Sequence, residues 1–284
     1  MVTAAFSFAS MGALTHALGP RCDWFVTALI RIVCSFVFSV CLAWLAGARL
    51  VLLRPRTLWV RSISGTISLL CTFYALTRLP VADVLTLTNT YPLWIVLLSL
   101  RELRRDEIGI DLPCVISGII GVVLIQRPYL SGQGNLAVLV ALLASVTTAV
   151  AMLGLHRLRT VDARAVVAHF SGLATVVLAV WAWMHPAIAS ASTFDTTTSM
   201  MLLGVGLTGT AGQVFLTKAF AAGSPARIAV LSLTQVIFAM GYDVAIAGRV
   251  LGPSTLLGIF LVLTPTAWVT LKAGRLKVEP EAGL

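Results

Sequence analysis

Apolar runs of membrane-spanning length recur along the whole chain, and short polar segments separate them. A helix needs about 20 predominantly apolar residues to cross the hydrocarbon core of a bilayer. Glycine and proline mark the breaks between runs, as in Gly19-Pro20 and Gly223-Ser224-Pro225. The pattern therefore predicts ten transmembrane helices, near residues 3–18, 22–46, 57–78, 80–100, 109–126, 134–156, 162–184, 198–221, 225–247 and 253–272.

The composition supports this prediction. Of the 284 residues, 58% are hydrophobic and only 11% are charged, whereas about 25% of the residues in soluble domains are charged. This composition excludes an ordinary soluble enzyme. The sequence predicts an all-α integral membrane protein with several membrane passes.

The positive charges give an orientation. The net charge is +9, which by itself could indicate a nucleic-acid partner. If the N-terminus is cytoplasmic, however, fifteen cations lie in the inner loops and C-terminus, Arg61 among them, and four lie in the outer loops. Cytoplasmic loops are enriched in Lys and Arg. The charge therefore predicts cytoplasmic termini in a bacterial inner (plasma) membrane, and nucleic acid is not expected as a partner.

The two halves of the chain resemble one another. Gly65-Thr66 falls in register with Gly209-Thr210, and the segment around Gly118 resembles the segment around Gly258. Each half holds five predicted helices, and five is odd, so the second half enters the bilayer from the opposite side. Inverted repeats of this kind are typical of transporters.

Several short motifs carry a family resemblance. They are Phe73 to Asp83, Tyr91-Pro92-Leu93, Arg101-Glu102 and Gly118 to Ile125. In this order and spacing they resemble an EamA domain of the drug/metabolite transporter superfamily, and the second half resembles another. One departure is that Gly248-Arg249 stands where the family commonly carries Gly-Glu.

The resemblance implies a domain organisation and a central cavity. Residues 1–127 would form the first EamA repeat, residues 134–274 the second, and residues 275–284 a short cytoplasmic tail. It also implies that the cavity is lined by the first, third, fourth, sixth, eighth and ninth helices.

Polar residues at membrane depth are the candidates for the substrate site, because each is costly in lipid and tends to face a cavity or a partner. The richest cluster surrounds Pro92 in the predicted fourth helix. Pro92 removes a backbone donor and frees the carbonyl near Thr88. We therefore predict substrate contacts at Thr88, Asn89 and Tyr91. The alternative is that these residues only bind neighbouring helices.

Further candidates lie on other helices. The remaining predicted substrate-binding residues are Tyr74, Thr210, Gln213 and Gln235. The stripe formed by Ser64, Ser68 and Thr72 is interpreted as a packing surface. Arg31 is interpreted as an anchor that reaches the outer surface, with anion binding as the alternative. The histidines, including His169, are interpreted as interfacial.

These observations favour a secondary transporter that moves a small polar metabolite by alternating access. The acidic residues Asp83 and Asp243 lie toward helix ends, so facilitated diffusion or exchange is expected rather than obligatory proton symport. One alternative is a polytopic membrane transferase acting on lipid, although no enzyme constellation is visible. Another is a structural or receptor protein that transports nothing.

The expected partners follow from this interpretation. They are a small-molecule substrate and the lipid bilayer, and a second copy of the chain in a homodimer is the alternative to a monomer. No cofactor, metal or catalytic residue is predicted.

Overall fold

The computed structural model describes residues 1–19, 21–51, 53, 55–76, 78–79, 81–99, 105–126, 135–184, 194–248 and 252–276. These described residues form twelve helices and no strand. The helices are α1 (Val2–Leu18), α2 (Trp24–Leu45), α3 (Arg56–Leu76), α4 (Val81–Thr88), α5 (Tyr91–Ser99), α6 (Arg105–Gln126), α7 (Asn135–Arg157), α8 (Ala163–Met184), α9 (Thr196–Ala222), α10 (Pro225–Ser232), α11 (Thr234–Ala247) and α12 (Pro253–Leu276).

Two of the helices predicted as continuous, the fourth and the ninth, are broken. The first break falls at Asn89-Thr90, and Pro92 is the second residue of the helix that follows. Proline is tolerated in a first helical turn, where its missing N–H is not needed. The second break falls at Leu233, whose backbone N–H donates to the Val230 carbonyl at 3.1 Å. No proline marks this break, so the sequence pattern did not indicate it.

Several helices are long and apolar enough to cross a membrane. Within the described ranges, five stretches meet this criterion: Trp24–Leu45, Leu136–Arg157, Ala163–Met184, Thr196–Ala222 and Pro225–Ile246. Shorter apolar helices cover Val2–Leu18, Val84–Leu98, Leu112–Ile125 and Pro253–Trp268. Large apolar side chains such as Trp44 and Trp183 lie on the outer surface, 80% and 83% exposed, as lipid contact requires. The chain is a multi-pass integral membrane protein.

Helix α3 is in neither set. It carries Arg61 and five Ser or Thr residues between Ser62 and Thr72. A helix of this polarity is unfavourable against lipid unless its polar side chains face a cavity or other helices. In the structure, α3 packs along α7 and α8.

The packing of the helices repeats between the two halves. Helix α3 packs along α7 as α9 packs along α1, while α2 packs on α8 and α6 on α12. In chain order, α1, α2, α3 and α6 of the first half correspond to α7, α8, α9 and α12 of the second. Exchanging the halves therefore reproduces the same set of helix contacts.

The crossing of α6 and α12 shows this correspondence at the level of single residues. A Cβ atom at Gly121 would lie 2.6 Å from the Gly258 carbonyl oxygen, and one at Gly258 would lie 2.6 Å from the Gly121 oxygen. Only glycine allows the two backbones to approach so closely. The sequence pairing of Gly118 with Gly258 is therefore wrong by about one helical turn. Gly118 instead packs under the side chain of Leu233.

The largest apolar cluster joins α3, α5, α7, α9 and α10. Its buried members include Leu58, Ile95, Leu155, Phe220 and Val230. Leu58 lies near the start of α3, whereas Leu155 and Phe220 lie near the ends of α7 and α9. The cluster therefore packs one end of the helix bundle closed.

Candidate functional site

A cavity of about 220 Å³ lies between α2, α3, α7, α8 and α9. Polar side chains form much of its wall: Arg31, Arg61, Ser68, Thr72, Thr148 and Gln213. A cavity of about 150 Å³ accommodates benzene. By that scale this cavity holds a solute of roughly nine non-hydrogen atoms.

Arg61 is the most completely buried cation of the cavity wall. It is the sixth residue of α3, and only 1% of it is exposed. Its guanidinium carbon lies 4.3 Å from the centroid of the Phe170 ring, and Nη2 donates to Gln213 Oε1 at 3.4 Å. That hydrogen bond is long, and Arg61 Nε has no hydrogen-bond partner in the part of the chain that the structure describes. Arg61 was counted with the cytoplasmic loops, and this placement is wrong.

Arg31 enters the same cavity from α2. Its Nε is buried and has no hydrogen-bond partner among the residues described, and a Cβ atom at Gly209 would lie 3.2 Å from that nitrogen. A Cβ at Gly65 would likewise come within 2.4 Å of Arg61 Nη1, and one at Gly154 within 3.2 Å of Arg61 Cβ. Glycines on three helices therefore make room for the two arginines. Arg31 lies in a cavity wall, which favours the anion-binding alternative over anchoring at the outer surface.

The described part of the cavity wall carries positive charge and no acidic side chain. Within that part of the chain, neither Arg31 nor Arg61 forms an ion pair, and no Asp or Glu lines the cavity. A charged side chain at the bilayer centre costs about 2.5–3.5 kcal/mol on insertion scales, whereas a cation–π contact contributes about 0.5–2 kcal/mol. The contact with Phe170 therefore offsets only part of the cost of burying Arg61. The wall is electropositive and rich in hydrogen-bond donors.

The hydroxyl groups of α3 line the cavity and also join helices. Ser68 Oγ lies 2.5 Å from Thr148 Oγ1 of α7, and it donates to the Ala144 carbonyl at 3.1 Å. Thr72 donates to the Ser68 carbonyl within its own helix at 2.8 Å. The sequence interpretation of this stripe as a packing surface accounts for the bond between α3 and α7, but it missed the place of Ser68 and Thr72 in the cavity wall. The polarity of α3, which also carries Arg61, is the sequence feature that could have indicated this place in the cavity wall.

Three of the predicted substrate-binding residues lie on α3 and α9. Gln213 is in the cavity wall. Thr210, almost one turn earlier on α9, is buried outside that wall and donates to Ser35 Oγ at 3.1 Å. Tyr74 lies near the end of α3, with the Arg78 guanidinium carbon 4.2 Å from its ring centroid.

The other four lie at the two helix breaks. Tyr91 begins α5, and its hydroxyl is hydrogen-bonded to Ser232 Oγ at the end of α10. Thr88 donates to the Val84 carbonyl at 2.9 Å, and Asn89 Nδ2 donates to the Leu85 carbonyl at 2.8 Å. Gln235 is half-buried on α11. These residues lie outside the wall of the cavity described above, and their contact with substrate remains a prediction.

His169 does not lie at the interface as expected. It is the seventh residue of α8, only 9% exposed, and its Nδ1 lies 2.7 Å from Ser62 Oγ. The ring packs edge-on against Trp59, with the centroids 4.8 Å apart. Because Ser62 follows Arg61 in α3, this buried histidine packs next to the cavity wall.

A helical membrane protein with a polar cavity between its helices has the architecture of a transporter. The model of the EamA-like transporter family matches residues 1–127 and again residues 134–271. The chain belongs to that family and is a membrane transporter.

Known relatives and a solved structure agree with this assignment. The pseudopaline exporter CntI of Pseudomonas aeruginosa is 26% identical over 249 residues, covering 85% of this chain and 84% of the exporter. An uncharacterized transporter of Helicobacter pylori is 24% identical over 216 residues, covering 75% of this chain and 72% of its own length. A solved crystal structure matches the fold with a TM-score of 0.80 at 18% identity, covering 96% of this chain and 98% of the other.

Proposed function

We propose that the chain is a secondary transporter that binds a small polar metabolite in the cavity and carries it by alternating access. The observation that carries this proposal is the position of the cavity between the two halves. Helices α2 and α3 of the first half and α7, α8 and α9 of the second line it together. A rearrangement of one half against the other would change the access to such a site.

The proposed topology has ten spans in two inverted repeats. Helices α4 and α5 together make one span, and α10 and α11 make another. The apolar cluster around Leu58, Leu155 and Phe220 lies between the cavity and the helix ends that the cation bias places in the cytoplasm. It would have to separate for the solute to pass.

The proposed location is the bacterial inner membrane with both termini in the cytoplasm. Thr160 lies in the turn between α7 and α8, Thr196 begins α9, and both are exposed. In intact cells, an impermeant thiol reagent should label a Thr196→Cys variant and leave a Thr160→Cys variant unlabelled. The reverse pattern would invert the orientation.

The proposed direction is export, down a solute gradient or in exchange for a second solute. A relative that matches most of the chain is named an exporter. The described residues of the cavity wall include no carboxylate through which protonation could be coupled to solute binding.

A flux screen tests the proposal. Purified protein is reconstituted into liposomes loaded with a labelled metabolite library, and efflux is followed without a pH gradient. We expect at least one metabolite to leave faster than from protein-free liposomes, and Gln213→Leu to slow that efflux. A library that gives no protein-dependent efflux contradicts the proposal.

The same screen sharpens the location of the site. Asn89→Leu and Gln235→Leu change predicted substrate-binding residues at the helix breaks. If they slow efflux as much as Gln213→Leu does, the site extends from the cavity to the breaks. If they leave efflux unchanged, the two residues serve helix packing.

A further inference from the structure

Two arginines lie in the cavity wall, the half-buried Arg31 and the buried Arg61. We propose that the cavity recognises a compact solute by an anionic group, a carboxylate or a phosphate, held between Arg31 and Arg61. This inference rests on the proposed function only in treating the bound solute as the one transported. Binding itself is a property of the cavity and does not require transport.

Both arginines line the same cavity of about 220 Å³, so a ligand that fills the cavity contacts the two residues together. Arg31 is the eighth residue of α2 and Arg61 the sixth of α3. At a rise of 1.5 Å per residue they lie about 10 Å and about 8 Å inside their helices. Consecutive spans run in opposite directions, so the two side chains enter the cavity from opposite ends.

The hydrogen-bonding capacity of the wall favours an anion. A guanidinium group has five N–H donors, and Arg61 directs one nitrogen, Nη2, at Gln213. The Nε groups of Arg31 and Arg61 are buried without an acceptor among the described residues, while the Gln213 oxygen is already an acceptor for Arg61. The wall therefore has unused donors at its charged groups. A carboxylate or phosphate supplies several acceptor oxygens in the geometry that arginine binds best.

The same wall disfavours cations. Among the described residues, no carboxylate faces the cavity, so an ammonium group would meet two positive charges at close range, where the low dielectric strengthens repulsion.

The loss of either arginine is expected to weaken anion binding strongly. Arg61 is buried, and Arg31 is half-buried with a buried Nε, so water screens these groups less than it screens surface charges.

The test measures equilibrium binding to the purified full chain in detergent by calorimetry. The probes are succinate, succinamate and succinamide, which have the same number of non-hydrogen atoms but carry two, one and no negative charges. We expect affinity to fall in that order, with succinate bound at least about tenfold more tightly than succinamide. Equal affinities, tighter binding of the neutral diamide, or no measurable binding of any anion overturns the proposal.

Inorganic phosphate, titrated in parallel, distinguishes the two anion classes. Tighter binding of phosphate than of succinate identifies a phosphate site, and the opposite order identifies a carboxylate site. Either result supports an anion site, because both anions would use the same two arginines.

Matched variants assign the effect to the arginines. Arg61→Gln and Arg31→Gln should each lower succinate affinity about tenfold and leave succinamide affinity unchanged. Arg56→Gln, on the exposed first turn of the same helix as Arg61, should change neither. Unchanged succinate affinity in both cavity variants overturns the proposal. If a cavity variant does not fold, the comparison of succinate with succinamide on the unmodified chain still tests whether the cavity prefers an anion.

The result separates this inference from the transport proposal. Anion binding without flux in liposomes would leave the site standing and contradict transport. Flux of solutes without any preference for anions would leave transport standing and contradict the site.

Discussion

The crossing of α6 with α12 and the wall of the cavity differ in how the two halves contribute. At the crossing, Gly121 and Gly258 face one another. A Cβ atom on either glycine would lie 2.6 Å from the carbonyl oxygen of the other. The residues one turn further on, Ile125 and Val262, pack against the opposite glycine in the same way. The two halves are equivalent there.

At the cavity wall they are not equivalent. Arg31 and Phe170 are each the eighth residue of a helix of 22 residues, α2 and α8, yet one is charged and the other aromatic. Arg61 corresponds to Val205 when Gly65 is aligned with Gly209. Both arginines of the cavity wall therefore come from the first half, and the second half supplies the ring on which Arg61 stacks.

The symmetric crossing and the asymmetric cavity wall suit two different tasks, conformational exchange and solute recognition. A symmetric frame suits two halves that exchange conformations, because each can then adopt the arrangement of the other. A solute has no two-fold symmetry, so the groups that recognise it need not be duplicated. The predictions below test each side of this comparison.

The largest expected effect concerns the symmetric crossing. Gly121→Val and Gly258→Val should each lower the free energy of unfolding by about 3 kcal/mol, the upper end for overpacking, because a Cβ atom would collide with a backbone carbonyl. A detergent-denaturation titration measures this loss. Gly241→Val on α11, where a Cβ meets nothing within 4 Å, is the matched control. Strong destabilisation by only one of the two crossing variants would break the symmetry.

A smaller effect of opposite sign is expected at the cavity. Arg61→Met should raise the free energy of unfolding by about 1 kcal/mol, because the cost of the buried charge exceeds its cation–π contact. The same variant should lose succinate binding. Arg56→Met on the exposed turn of α3 should stay within about 0.5 kcal/mol of the unmodified chain. Marked destabilisation by Arg61→Met would give Arg61 a structural role instead.

A loss of the same size as the gain at Arg61 concerns the contact between the two helix breaks. Tyr91→Phe and Ser232→Ala should each cost about 1 kcal/mol of stability, the typical value of one hydrogen bond. The double variant should cost little more than either single variant, because both remove the same bond. Additive losses would show that the two side chains act independently, and a loss of succinate binding in Tyr91→Phe would return Tyr91 to the site.

The sequence predicted the helices well and their finer packing poorly, for physical reasons. Apolar runs reveal spans because lipid demands them over a whole helix. The break at Leu233 is a backbone turn that contains no proline. It does not interrupt the run of apolar residues, so the sequence pattern did not reveal it. Gly118 and Gly121 are about one helical turn apart, so they lie on nearly the same face of α6. The pattern of apolar residues therefore did not show which of them pairs with Gly258.

The candidate site was partly predictable. Gln213 was identified because an amide inside an apolar helix is unusual. Arg61 was missed because a cation near a helix start normally lies at the interface, and only tertiary packing on Phe170 shows that this one is buried. Arg31 was recognised as an intramembrane cation. The direction in which its side chain points depends on the space left by Gly209 on another helix, which the sequence pattern does not show.

Alternating access requires the cavity to open in turn to the two sides of the membrane. Thr72 lines the cavity and is half-buried, so Thr72→Cys is placed in a chain without its native cysteines and reconstituted in vesicles of known orientation. We expect an impermeant maleimide to modify it from either side, and succinate to slow the reaction, while Ser145→Cys, which replaces a fully buried α7 residue outside the cavity wall, stays unmodified. Reaction from one side only, with and without succinate, would contradict alternating access to this cavity.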